Sequence, residues 1–186
     1  MIRSVPLLLL ALAGCASAPR AAAPAPATDE AAVYAAVIDH FVPAGKSVVV
    51  IDSTAVRGPV GGDVARRASA ELAASFTEAN RARRPIPRPL PTTRTVWFTR
   101  HRELPFAAGG AGIEDLEARW REFNQRYPDA QGFHEFSAIG FDAARSTAVL
   151  YASHGCGSLC GSGNLVTLRR TGGRWQVVEA QMLWAS

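Results

Sequence analysis

The side chains best suited to chemistry fall in one stretch, His154-Gly155-Cys156-Gly157-Ser158-Leu159-Cys160-Gly161-Ser162-Gly163, which holds two of the chain's three cysteines. Four chemistries compete for it. A Cys156–Cys160 disulfide would staple a short loop whose glycines give the dihedral freedom to close, contributing about 2 kcal/mol and chiefly fixing loop shape. His154, Cys156 and Cys160 could instead hold copper(I) or zinc, since imidazole and thiolate suit both ions. Thiol redox catalysis is a third option, although no Cys-x-x-Cys opens a helix here to lower a thiol pKa. Cys156 beside His154 could also act as nucleophile and base, provided the thiol is free. No Gly-x-Ser-x-Gly elbow offers a serine in its place.

Other candidates are dispersed. His101 sits between Arg100 and Arg102, and His134 precedes Glu135; neither shows metal-ligand spacing. Asp52, Glu135 and Asp142 are isolated carboxylates, and sequence alone pairs none of them across a cleft. Gly61-Gly62 lacks the residues of a phosphate-binding loop, and no cofactor motif occurs. Trp97, Trp120, Trp175 and Trp184 are scattered as core residues would be.

The amino terminus says where these groups work. Met1-Ile2-Arg3 precedes an apolar run from Val5 to Ala13, too short to span a bilayer, which needs roughly 20 apolar residues. Leu12-Ala13-Gly14-Cys15 resembles the lipobox of bacterial lipoproteins at every position. The resemblance implies cleavage before Cys15, acylation of its sulfur, and a mature protein held at the cell envelope by its lipid. Ala16 rather than Asp after the cysteine implies the outer membrane in a Gram-negative host. The compartment would be oxidising, which favours the disulfide once Cys15 is acylated. Residues 16–28 are mostly Ala and Pro and read as an extended tether, reaching roughly 40 Å at about 3.1 Å per residue. The organisation expected is a signal peptide over 1–14, a lipidated cysteine and tether over 15–28, and one folded domain over 29–186.

The Cys-x-x-x-Cys spacing is similar to that of Sco-type copper chaperones, which implies a copper ligand set. Gly161 stands where that family has proline, however, and the surrounding strands are not a thioredoxin-like context.

The elements that must position these residues follow from hydrophobic period. Thr28 can cap a helix bearing Val33, Val37, Ile38 and Phe41 on one face. Ser47-Val48-Val49-Val50-Ile51 reads as a buried strand. Gly61-Gly62-Asp63 should open a single second helix carrying Val64, Ala68, Leu72, Phe76 and Ala79. Arginines 81, 83, 84 and 88 alternate with Pro85, Pro87, Pro89 and Pro91, predicting an extended, solvated basic loop. Seven arginines from Arg81 to Arg102 could touch anionic lipid or glycan phosphate if they shared a face. Thr95–Thr99 reads as a strand. The Gly109-Gly110-Ala111-Gly112 break precedes a third helix with Ile113, Leu116, Trp120, Phe123 and Tyr127 in a stripe. Strands are then expected near His134–Phe141, Ser146–Ser153, Asn164–Arg170 and Arg174–Trp184.

This pattern predicts an α+β fold: about three helices on a mainly antiparallel sheet ending in a four-strand meander. The layout is loosely similar to NTF2-like and cystatin-like folds. The segments Phe136–Asp142, Ala148–Tyr151, Cys156–Gly163 and Gly173–Trp175 resemble uncharacterised bacterial secreted and lipid-anchored proteins, a likeness that implies a shared domain without an activity. Composition excludes a disordered polymer and a polytopic membrane protein, with 48% hydrophobic, 8% aromatic and 19% charged residues among 186. A formal charge of +4 is too small to argue for nucleic acid. The expected function is a lipid-anchored envelope protein, a non-catalytic binding or structural accessory whose partners are the membrane and an envelope protein or glycan. A periplasmic metal-binding or thiol-redox protein using His154, Cys156 and Cys160 is the alternative.

Overall fold

The computed structural model describes residues 28–55, 60–106 and 113–186. Cys15 with its flanking signal and tether, and the Gly109–Gly112 break, lie outside them. The order is α1 (Asp29–Phe41), β1 (Ser47–Ile51), α2 (Val60–Arg67), α3 (Ala70–Ala79), β2 (Thr95–Thr99), α4 (Ile113–Arg126), β3 (Ala130–Phe136), β4 (Gly140–Phe141), β5 (Thr147–Gly157), β6 (Cys160–Thr171) and β7 (Arg174–Ala185). A short 3-10 turn, His101–Glu103, follows β2. Among the described residues no helix is long and apolar enough to cross a membrane.

The domain is α+β, with one seven-stranded sheet in the order β2-β1-β3-β5-β6-β7 and β4 paired to β5. From β3 onward the pairing is antiparallel, as the meander predicts. β1 runs parallel to both its neighbours, β2 and β3, because helical crossovers rather than tight turns connect these three strands.

Alternation along the buried strands divides the core. Val48 and Val50 of β1 join Ala148, Leu150 and Ala152 of β5 under α1. Val49 and Ile51 point the other way, toward Phe123 of α4 and Tyr127 just after it. On that same second face Val149 and Tyr151 meet Val60 and Val64 of α2 and Leu72 and Phe76 of α3. The second face therefore carries two separate apolar clusters, one under α2–α3 and one under α4.

Three expectations are corrected. The region from Gly61 to Ala79 is two helices, because Ser69 caps the second through its hydroxyl, which accepts from Leu72 N–H at 3.3 Å. Gly61 and Gly62 lie within the first turn of α2 rather than before it. With α1 and α4 the described helices number four. The proline-rich segment is the extended loop expected, with Arg81, Arg83, Arg84 and Arg88 exposed, but it is not solvated throughout: Ile86 and Leu90 are buried in the α1-side core, and Ile86 N–H donates to the Asp52 carbonyl at 2.9 Å. Proline excludes helix and central strand, but it does not stop the aliphatic residues between prolines from packing. The cysteine stretch is likewise not a separate loop, since β5 runs to Gly157 and β6 starts at Cys160.

Candidate functional site

The gap between the two clusters on the second face is a cavity of about 750 Å³. Its floor follows from register. Glu135 of β3 pairs with Ser153 of β5, Ser153 with Gly163 of β6, and Gly163 with Trp184 of β7, so a row of four strands presents carboxylate, hydroxyl, bare backbone and indole. The neighbouring row is Phe133, Gly155 and Gly161. Val60 and Asp63 of α2 stand at one side, and Leu116 and Trp120 of α4 at the other, with His101, Leu104 and Phe106 after β2.

The glycines of the cysteine stretch make this space. None of Gly155, Gly157, Gly161 and Gly163 has a left-handed backbone; among the described glycines only Gly45, Gly132, Gly172 and Gly173 do. The expected role in loop closure is therefore corrected. They recur two apart on a strand, so all four face the cavity side. A Cβ on Gly155 would lie 2.8 Å from the Phe133 ring, and one on Gly163 would fall on Trp184 Nε1 and the Tyr151 hydroxyl. Rings thus seat against bare backbone. Trp184 Nε1–H donates to the Tyr151 hydroxyl at 2.7 Å, fixing the indole at the cavity's edge. Opposite, Phe106 and Trp120 are 4.3 Å apart between ring centroids, and Phe133 lies 5.8 Å from Phe106.

The polar end is built from residues that looked isolated in the sequence. The Glu135 carboxylate, its side chain 8% exposed, faces His101 Nε2 at 3.8 Å. β3 and the turn after β2 bring them together although 34 positions separate them, as their numbers in the sequence show. Such a pair can accept from and donate to a ligand's polar group, while the aromatic walls exclude water from its apolar part.

Other sequence candidates lie elsewhere. Asp52 stands 4.0 Å from Arg88 and 3.9 Å from Arg100. Asp142 closes the β4–β5 turn: burial would raise its pKa, but hydrogen bonds from Thr147 and Ser146 outweigh that and hold it at about 2. His134 and His154, paired across β3 and β5, occupy the opposite face with ring centroids 4.5 Å apart. Burial, reinforced by the charge of His154, pushes the His134 pKa down to about 3. His154 Nε2 meets the Gln131 carbonyl. Of the tryptophans, Trp120 and Trp184 line the cavity, while Trp175 is buried on the α1 side. Trp97 is exposed beside Tyr127.

Cys156 and Cys160 stand at disulfide distance at the end of the β5–β6 hairpin, with Cα atoms 5.1 Å apart. His154, Cys156 and Cys160 do not converge as a ligand set, and among the described residues no group of three His, Cys, Asp or Glu is placed to hold a metal ion. Three arginines of the basic segment are engaged within the domain. Arg94 donates to the Val42 carbonyl at 3.0 Å, Arg88 lies over the Phe98 ring at 4.0 Å, and Arg81 pairs with Glu78 at 3.0 Å.

Sequence reasoning did not single out Tyr151, Ser153, Leu104 or Phe106. The signal that could have found the site is the spacing of glycines 155 and 157 against 161 and 163, which marks one face of a hairpin as lacking side chains. No family model matches the chain, and comparison with curated proteins and with solved structures likewise returns no match.

Proposed function

We propose that this protein is a lipid-anchored cell-envelope protein whose α+β domain binds a small, largely apolar ligand with one polar end. The observation that carries the binding reading is the 750 Å³ cavity, walled by Phe106, Trp120, Phe133 and Trp184 and closed by Glu135, His101 and Ser153. Its volume falls in the range of about 300–1,000 Å³ common for small-molecule sites, and its composition of aromatic walls with few polar groups is theirs as well. The lipobox at Leu12–Cys15 supports the anchor, and the Ala/Pro stretch after it gives the domain reach from the membrane. Cys156 and Cys160, paired as a disulfide in an oxidising compartment, would hold the hairpin tip beside the cavity, which Cys160 also lines.

Ligand binding is tested with a neutral, hydrophobic fluorophore such as N-phenyl-1-naphthylamine. Saturable emission with one site per chain is expected, together with quenching of tryptophan, since Trp120 and Trp184 both line the space. Ser153→Phe, which fills the floor, should abolish the signal while leaving the near-ultraviolet circular dichroism of the fold. Unchanged binding in that variant would overturn the assignment. The anchor is tested separately by acyl labelling: Cys15→Ala should lose the label and release the protein from membranes. Thiol alkylation before and after reduction, read by intact mass, should modify Cys156 and Cys160 only after reduction.

A further inference from the structure

Under α1 one face of the sheet is apolar, built from Val50, Leu150, Ala152 and Val166. α1 ends at Phe41, and beyond that end the same face changes character. Register sets His134 of β3 beside His154 of β5 and His154 beside Ser162 of β6, while Asn164 of β6 lies opposite Ala152. With Phe41, Pro43 and Gln131 these residues line a second pocket, of about 180 Å³, on the sheet face away from the cavity.

A solvated sheet face would carry such polar residues exposed. Here His134 is 4% and Asn164 8% exposed, and burying a polar group costs free energy unless it finds a partner. The His134 ring lies against those of Phe136 and His154 and forms no hydrogen bond with the described residues. No buried side-chain nitrogen or oxygen among those residues is sealed away without a partner, so the His134 ring nitrogens open into the pocket that the ring lines. His154 Nε2 donates to the Gln131 carbonyl, which can only accept, and Nδ1 is the atom left for a ligand. Asn164 Nδ2 donates to the Ser162 hydroxyl at 3.5 Å, leaving the Asn164 carbonyl oxygen and the Ser162 proton to be used. None of the lining side chains is a carboxylate, ammonium or guanidinium.

We propose that this pocket binds one neutral sugar ring, free or at the end of a glycan. Each hydroxyl of a sugar both donates and accepts, as do a neutral imidazole, a hydroxyl and a primary amide, and burial keeps the His134 ring neutral. A charged ligand would meet no counter-charge among the lining side chains, and a wholly apolar one would leave His134 and Asn164 buried without partners. Phe41 and Pro43 supply an apolar flank for the C–H face of the ring. An apolar cavity of about 150 Å³ holds one benzene molecule, so this space admits a single six-membered ring with its substituents.

The test uses the full chain, with its histidines labelled with carbon-13, in a detergent that has no sugar headgroup. Ring signals are followed by nuclear magnetic resonance during titration with D-glucose or N-acetyl-D-glucosamine. At millimolar sugar, the His134 and His154 signals should shift saturably with at least one of the two, while His101, in the cavity on the other face, should not move. His134→Phe keeps the ring's shape without its nitrogens, and Asn164→Leu removes the amide; each should weaken binding at least tenfold, read at His154. Neither residue lines the cavity, so fluorophore binding and near-ultraviolet circular dichroism should be unchanged in both variants, which separates failure here from failure of the cavity reading. Tighter binding of a chito-oligosaccharide than of N-acetyl-D-glucosamine would place the ring at a glycan end, and equal binding would make it a free sugar. No saturable shift with either monosaccharide overturns the proposal. So does an equal response to acetate, methylammonium or uracil, or a sugar response that survives both substitutions.

Discussion

Replacing Gly163 by alanine tests whether the glycines of the hairpin exist to make room. The added Cβ would fall on Trp184 Nε1 and the Tyr151 hydroxyl and lie 2.6 Å from Trp184 Cε2. Tyr151 is 2% exposed and has no room to move, whereas Trp184 is 45% exposed, so the indole must leave. Three effects set the magnitude. Overpacking a filled site costs about 1–3 kcal/mol. Loss of the 2.7 Å Trp184–Tyr151 hydrogen bond costs about 1 kcal/mol. Alanine returns about 0.4–1 kcal/mol by restricting the unfolded chain. The expected net loss is about 1–3.5 kcal/mol. Gly61→Ala is the control, because its Cβ would meet nothing within 4 Å, and its effect should be neutral or stabilising by up to about 1 kcal/mol. Urea denaturation followed by tryptophan emission measures both, and Gly163→Ala should also shift the native emission to the red as Trp184 enters water. Equal stabilities for the two variants, with unchanged native emission, would refute the argument that these positions are glycine for space.

Further outcomes follow from the packing and the buried polar groups. Phe123, fully buried at the centre of the α4 cluster and in contact with Phe106, Trp120, Phe133 and Tyr127, should cost about 3–5 kcal/mol on truncation to alanine, read by chemical denaturation. His134 makes stability depend on pH. Its native pKa is held down to about 3 by burial and by His154, against about 6.5 in the unfolded chain, so below pH 6.5 the unfolded state gains a proton that the native state refuses. Stability contributed by its neutral form is full above about pH 6.5 and falls by up to about 1.4 kcal/mol per pH unit as pH drops toward 3. His134→Phe should flatten the slope between pH 7 and 5 in urea titrations, and an unchanged slope would remove His134 as its source. Tyr34→Phe deletes the buried hydrogen bond from the Tyr34 hydroxyl to the Ser137 carbonyl at 2.9 Å and should lower stability by about 1–2 kcal/mol in thermal or urea melts.

Much of the fold was legible because its signals are local. Thr28 caps α1 by accepting from Ala31 N–H, the β-branched run Ser47–Ile51 is a strand buried at every position, and Pro128 follows the end of α4. The turn at Gly172-Gly173, with φ of 57° and 77°, joins β6 to β7 where two adjacent glycines can adopt left-handed backbone. Strands separated by short turns also announced the antiparallel meander. What misled was competition between local signals. Ser69 reads as one polar residue in a continuous helical stripe, yet its hydroxyl caps a new helix. The prolines near residue 88 read as solvated although Ile86 and Leu90 among them pack into the core.

The site divides along the same line. The sequence by itself determined which stretch was unusual, namely the cysteines and spaced glycines from His154 to Gly163, and it supplied the lipobox reading of Cys15. Only the tertiary structure decided what the stretch does for the fold, because two-residue spacing names a face but not what lies over it. The pairing of Glu135 with Ser153 and its approach to His101 depend on strand register and on a parallel crossover that carries β2 beside β1. Neither leaves a mark in the neighbouring residues, since those contacts are chosen by which apolar faces bury against each other rather than by local propensity.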